Sequence, residues 1–355
     1  MKQSVLKFTT VLLCFYFFSC KKNVTETETS FYYWKTKFHL SQTEKNILKE
    51  LNTKALYVRF FDVDVFEGSD KPLPVGVLEG IDSIPKNINC IPVVFITNRT
   101  FLNLNKGQVA LLGKNIVSKI NSIKNNYAEL QFDCDWSGKT KENYFFFLEE
   151  VKKHISKDVK LTCTIRLHQV KYTFKTGVPP VSRGMLMFYN MGDLSDINGE
   201  NSIYSAKIAE KYTSFLKTYE LPLDVALPIY KWYVHYRSNR VIGLINKNEM
   251  PKINDTTKFS VLKNSPLEKG GRGIDFENNT KFNVKTDHLE NGIFYKKDDV
   301  LKYETITREQ LVEAAELLQQ SLKKENRKIV FYDLDENNIN YYDKETFTKV
   351  VTIIN

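Results

Sequence analysis

The stretch Glu129-Leu130-Gln131-Phe132-Asp133-Cys134-Asp135-Trp136 holds the residues of this 355-residue chain whose types and spacing best suit chemistry. In an extended strand alternate side chains share a face. Gln131, Asp133 and Asp135 then project one way, and Leu130, Phe132, Cys134 and Trp136 the other. Two carboxyl groups two strand residues apart stand about 7 Å from each other, close enough to raise the pKa of at least one. That is the physical basis for an acid and a base on one element. A second stretch repeats the alternation, with Thr162, Thr164, Arg166 and His168 set against Leu161, Cys163, Ile165 and Leu167. Arg59, between Tyr57 and Phe61, has the same inward phase. The same residues equally suit a buried ionic network in which Asp133 and Asp135 pair with Arg59 or Arg166, because a buried charge must be paired. Tyr230, Trp232, Tyr233 and Tyr236, with His235 and Arg237 among them, form a ring-rich cluster. Such rings either pack a loop or offer flat faces to the C–H groups of a sugar.

Strand-like and helix-like patterns alternate along the chain from Ser41. β-Branched apolar runs predict strands near 55–61, 91–97, 128–135, 160–167, 185–189, 223–229 and 328–333, with an eighth at 299–306. Between them lie helical stripes. Val109, Leu112, Ile116, Ile120 and Ile123 make one; Tyr144, Phe147, Leu148, Val151 and Ile155, opened by Thr140, make another. Tyr204, Ile208, Tyr212, Phe215 and Tyr219 make a third. Leu311, Ala315, Leu318 and Leu322 make a fourth, entered through Thr307 and Gln310 at capping-box spacing. Strand-then-helix repetition demands a parallel sheet. Seven or eight such units predict an α/β fold, a (β/α)8 TIM-barrel-like single domain over 41–355 with an irregular insertion near 246–297. A barrel strand buries its apolar face beneath its helix. Asp133 and Asp135 should therefore face the axis at the strand's C-terminal end, where barrel active sites are built.

The chain opens with its own address. Lys2 and Lys7 precede an apolar run from Phe8 to Phe18, too short to span about 30 Å of hydrocarbon. Phe17-Phe18-Ser19-Cys20 resembles a bacterial lipobox. The expectation is a lipoprotein signal peptide over 1–19, then a lipidated Cys20 and flexible tether over 20–40. A plain signal peptide or a short core helix are the other readings. Lipidation makes the membrane a partner and places the protein in the cell envelope, on the periplasmic or surface face of the outer membrane. Removing 1–19 lowers the formal charge from +9 to +7.

The remaining signals narrow the classes. The cations alternate with Glu, Asp and Asn rather than forming a stripe, so no nucleic-acid partner is expected. Cys90, Cys134 and Cys163 are odd in number and lack CxxC spacing, and the five His show no HExxH or close cluster. Neither a disulfide framework, a metal site nor a cofactor is expected. Lys269–Gly273 lacks the spacing of a phosphate loop, and no GxSxG occurs.

Leu130 to Ser137 resembles the DxxDxDxE strand of chitinase and endo-β-N-acetylglucosaminidase barrels, and Gly184-Met185-Leu186-Met187-Phe188-Tyr189-Asn190 is similar to their later strand ending Met-x-Tyr-Asp. Tyr57-x-Arg59-Phe60-Phe61-Asp62-x-Asp64, taken with the Asp133/Asp135 strand, resembles bacterial lipoproteins with glycoside-hydrolase-like barrels. The resemblance implies a glycan-binding or glycan-cleaving barrel. Asp133 and Asp135, the second and third Asp, would be its catalytic pair, and Arg59, Arg166, His168, Tyr189, Tyr230 and Trp232 its glycan contacts. The chain departs from the pattern at three positions. Leu130 replaces the first Asp, Ser137 the Glu acid, and Asn190 the Asp after Tyr189. Either hydrolysis has been lost or its acid has moved, with Asp62, Asp64, Glu304 and Asp333 as alternatives. A glycosidase predicts a second carboxyl about 5–10 Å from the pair across an open cleft. A binding module predicts an open cleft with rings and no such carboxyl, and a structural protein a closed lumen with both Asp residues matched to Arg.

Overall fold

The computed structural model describes residues 29–66, 71–262 and 278–355. The signal peptide expected over 1–19, the expected lipidation site Cys20 and the Lys269–Gly273 stretch lie outside the described residues. Eight parallel strands close into a barrel: β1 (Thr29–Tyr33), β2 (Ala55–Asp64), β3 (Asn89–Ile96), β4 (Glu129–Asp133), β5 (Lys160–Arg166), β6 (Arg183–Met187), β7 (Leu223–Pro228) and β8 (Ile329–Tyr332). Neighbours in sequence pair in order. β1 closes the ring between β8, where Phe31 lies opposite Phe331, and β2, where Phe31 lies opposite Leu56. The fold is the (β/α)8 barrel that the strand–helix rhythm requires.

The helical stripes pack outside it. Lys106–Ile123 is capped by an Asn105/Gln108 box and buries Val109, Leu112, Ile116 and Ile120. Lys141–Lys152 lays Phe147 edge-on against Phe132 of β4, ring centroids 4.9 Å apart. Arg308–Ser321 starts at the expected Thr307/Gln310 capping box. The third stripe is interrupted: the helix Ala206–Thr213 ends before Phe215, which is exposed. The barrel interior is filled by polar side chains at its lower end. Glu129 accepts from Tyr57 Oη at 3.1 Å and Thr162 Oγ1 at 3.0 Å, and pairs with Lys328 at 2.6 Å.

Three boundaries differ from the sequence reading. The eighth strand is β1, inside the stretch 20–40 expected as a tether. Its TSFYY residues are all buried, and its aromatic run signals a core strand rather than a linker. The segment 299–306 is no barrel strand: Val300–Glu304 pairs antiparallel with Trp232–Arg237. The insertion is larger and more regular than 246–297. It is a five-stranded antiparallel sheet, ordered Arg240–Ile245, Trp232–Arg237, Val300–Glu304, Lys281–Val284, Phe259–Val261, on its own core of Tyr233, Phe259, Phe282, Val284, Leu301 and Tyr303. Short alternating strands look alike in a barrel and in a meander; only their partners tell them apart.

Candidate functional site

Strand β4 delivers the acidic pair as its alternation requires. Leu130, Phe132 and Cys134 are fully buried beneath the helices, and Gln131 and Asp133 turn into the barrel, where Tyr32 Oη donates to Gln131 Oε1 at 2.5 Å. Trp136 also belongs to the outer layer: it stacks on Tyr144 and its Nε1 donates to Thr176 O at 2.8 Å.

The two carboxylates have different surroundings. Asp135 lies just past the strand and is held by Arg166, Nε at 2.5 Å and Nη2 at 3.1 Å. Asp133 is buried and accepts from Thr164 Oγ1 at 2.7 Å. Burial, reinforced by the Asp135 charge, pushes the Asp133 carboxyl up to about 6 against the pull of Arg166.

Asp133 and Arg166 line an open cleft of about 380 Å³ at the C-terminal end of the barrel. Tyr189 stacks on Tyr332 with centroids 5.4 Å apart, and Tyr230 stands edge-on to both at 6.0 and 5.7 Å. Trp232 and Trp34 complete the aromatic wall. Side-chain hydrogen bonds fix two of these rings. Tyr230 Oη donates to Asn190 Oδ1, and Trp232 Nε1 donates to Glu304 Oε2 at 2.9 Å. Glu304 is itself buried, paired with Lys302 at 2.9 Å and bonded by Ser202 Oγ. A second carboxyl, Asp333, lines the same cleft, held by Lys247 Nζ at 2.5 Å and Asn338 Nδ2 at 2.8 Å. Burial raises its pKa, with Lys247 opposing.

Asp133, Arg166, Tyr189, Tyr230 and Trp232 therefore converge on one cleft. Asp135 and His168 stand in an adjoining cavity of about 380 Å³ that shares Arg166, Tyr189 and Asn190 with it. His168 misses the main cleft because β5 ends at Arg166 and the chain turns into the short helix Leu167–Lys171, which breaks the strand alternation. Arg59 is not a partner of Asp133 or Asp135. A register shift between Arg59 and Phe61 accompanies its pairing with Asp62, at 2.6 and 2.5 Å, in a different cavity. Asp64 is bound by Arg99 and Thr97, which hold its carboxyl well below the usual range. His235 and Arg237 pair with Asp299 inside the inserted sheet, away from the cleft. Trp34, Lys247 and Tyr332 were missed by sequence reasoning. The aromatic run Phe31-Tyr32-Tyr33-Trp34 was the available signal for the first. Among the described residues no three His, Cys, Asp or Glu side chains converge as a metal site requires, and no helix is long and apolar enough to cross a membrane.

Solved structures share this architecture. A chitinase from Chromobacterium violaceum superposes with a TM-score of 0.53 at 11% identity, over 92% of this chain and 99% of that one. The spore cortex-lytic enzyme SleL of Bacillus cereus gives 0.52 at 13% identity, over 93% and 75%. A chitinase from Bacteroides thetaiotaomicron gives 0.53 at 10% identity, over 92% and 97%. At these identities the likeness is one of fold. No family model and no curated protein matches the chain.

Proposed function

We propose that this chain is a lipid-anchored cell-envelope protein whose barrel cleft binds a glycan. The observation that carries the reading is the wall of Trp34, Tyr189, Tyr230, Trp232 and Tyr332 around the polar floor of Asp133 and Arg166. Apolar ring faces beside charged hydrogen-bonding groups match a pyranose, which presents C–H patches and hydroxyls together. The chitinase and SleL barrels support the same direction by analogy of fold. The open cleft, and an Asp133 without an arginine of its own, argue against a purely structural lumen network.

One observation favours hydrolysis as a second reading. Asp133 and Asp333 line the same cleft and both have raised pKa values, the property a carboxyl needs to donate a proton near neutral pH. Ser137 has no acid to offer: its backbone N–H donates to Thr140 Oγ1 at 2.9 Å, at the start of a helix. In this reading Asp133 or Asp333 supplies the proton, and Asp135 orients Arg166.

The test is a glycan array probed with residues 21–355, which keep β1 whole, beside Asp133→Asn and Asp333→Asn. Retention lost in Asp133→Asn is the expected result. Release of new reducing ends, abolished by either change, selects the enzyme. Retention of no glycan by the wild-type chain overturns the proposal. The anchor is tested separately, by the mass of a fatty acyl group on Cys20 and its loss in Cys20→Ser.

A further inference from the structure

We propose that the rim beside this cleft binds the charged groups of an anionic glycan, a sugar chain carrying carboxylates or sulfates, through Lys171 and Lys175. The inference rests on the glycan reading above and names the class of ligand.

Residues 159–192 contain no Asp or Glu; of their five cations Lys160 and Arg183 open strands at the far face, Arg166 pairs with Asp135, and Lys171 and Lys175 follow the end of β5. Two short helices that follow β5, Leu167–Lys171 and Thr173–Thr176, carry these two lysines. Lys171 Nζ sits among three rings, 5.6 Å from the Tyr172 centroid, 5.1 Å from Tyr212 and 5.6 Å from Phe215. It donates to Lys211 O at 3.2 Å. Lys175 Nζ lies 5.5 Å from the ring of Phe174, which is 76% exposed. Among the described residues neither lysine is paired with a carboxylate. Exposed rings that hold unpaired ammonium groups form a surface ready for an anion.

The patch continues the cleft. Tyr212 lines the adjoining cavity with His168 and Arg166, and Arg166, Tyr189 and Asn190 form the wall common to both cavities. A chain seated over Asp133 that leaves by this side passes Tyr212 and meets Lys171, with Lys175 on the next short helix. The rings of Tyr172 and Phe174 stand at 79° to each other, so they make no continuous flat platform, and the two ammonium groups beside the rings are the recognition elements.

The anchoring membrane is a poor occupant. Parallel strands begin at one face of the barrel and end at the other, and β1 begins at Thr29. Lys171 and Lys175 follow the end of β5, on the opposite face. The nine residues from Cys20 to Thr29 reach about 30 Å at full extension, and they leave the barrel at the face opposite Lys171 and Lys175.

The full-length protein is titrated with acidic and neutral oligosaccharides matched in length, galacturonic acid and N-acetylglucosamine hexamers among them, and with vesicles of phosphatidylcholine and phosphatidylglycerol. The expected result is tighter binding of the acidic chain. The ratio of acidic to neutral affinity should fall about tenfold in Lys171→Ala/Lys175→Ala, the scale of one or two charge-assisted contacts. In about 1 M salt, where charges are screened beyond about 3 Å, the wild-type preference should vanish. Phe174→Ala, at an exposed site, should reduce the ratio less. If the double variant keeps the wild-type ratio while Asp133→Asn weakens both sugars, the patch assignment is overturned and the glycan reading stands. If no oligosaccharide binds, both fall. Vesicle binding lost in the double variant would make the surface lipid-facing and overturn the assignment.

Discussion

Arg166 closes its Nε and Nη2 on Asp135 and leaves Asp133, two residues earlier in the chain, to a hydroxyl, Thr164 Oγ1 at 2.7 Å. One arginine thus separates two chemically identical side chains. Asp135 becomes half of an ion pair, and Asp133 becomes a buried carboxyl facing a cleft.

The Asp133 carboxyl, pushed up to about 6 by burial and by Asp135, holds its proton in the folded chain where the unfolded chain, at ~3.9, has lost it. The folded state binds more protons through this window, so this group's contribution to stability falls as pH rises from about 4 to about 6. Asp133→Asn should therefore melt higher than wild type at pH 8, on the order of 1 kcal/mol or about 2–4 °C, and the gap should close by pH 4. Identical differences at both pH values, by calorimetry, would show that the carboxyl is not held above its ordinary range.

Arg166→Met strands Asp135. A fully buried pair loses about 3–5 kcal/mol on such a change. The Asp135 side chain is 45% exposed, so solvent screens the loss and about 1–2 kcal/mol is expected. Adding Asp135→Asn should recover most of it in urea melts. The single variant should also move the Asp133 titration upward, because the cation that opposes its shift is gone.

Glu304→Leu removes the acceptor of the Trp232 indole and the partner of the buried Lys302. A loss of about 3–5 kcal/mol is expected, and Lys302→Met in the same chain should restore much of it. Once stability is restored, weakened glycan binding would mark Glu304 as the residue that positions Trp232. Unchanged binding would assign Trp232 to packing alone.

A chain begun at Ser41, the boundary that hydrophobic rhythm suggests, lacks β1 and leaves the edges of β2 and β8 unpaired. It should show no cooperative melt by circular dichroism, whereas 21–355 should melt in one transition.

Phase and period are local properties, and they were readable. Phe132 and Cys134 pack outward and Asp133 inward because a strand alternates, and seven of the eight barrel strands follow from apolar runs spaced by helices. Pairing is not local. That β1 closes the ring, that Val300–Glu304 joins Trp232–Arg237 instead, and that Arg166 rather than Arg59 reaches the acidic pair depend on contacts between residues about thirty to three hundred positions apart. Periodicity reports which face a side chain takes. Only the closed chain brings faces together, and with them the rings of Trp34 and Tyr332 and the carboxyl of Asp333, drawn from opposite ends of the sequence into one cleft.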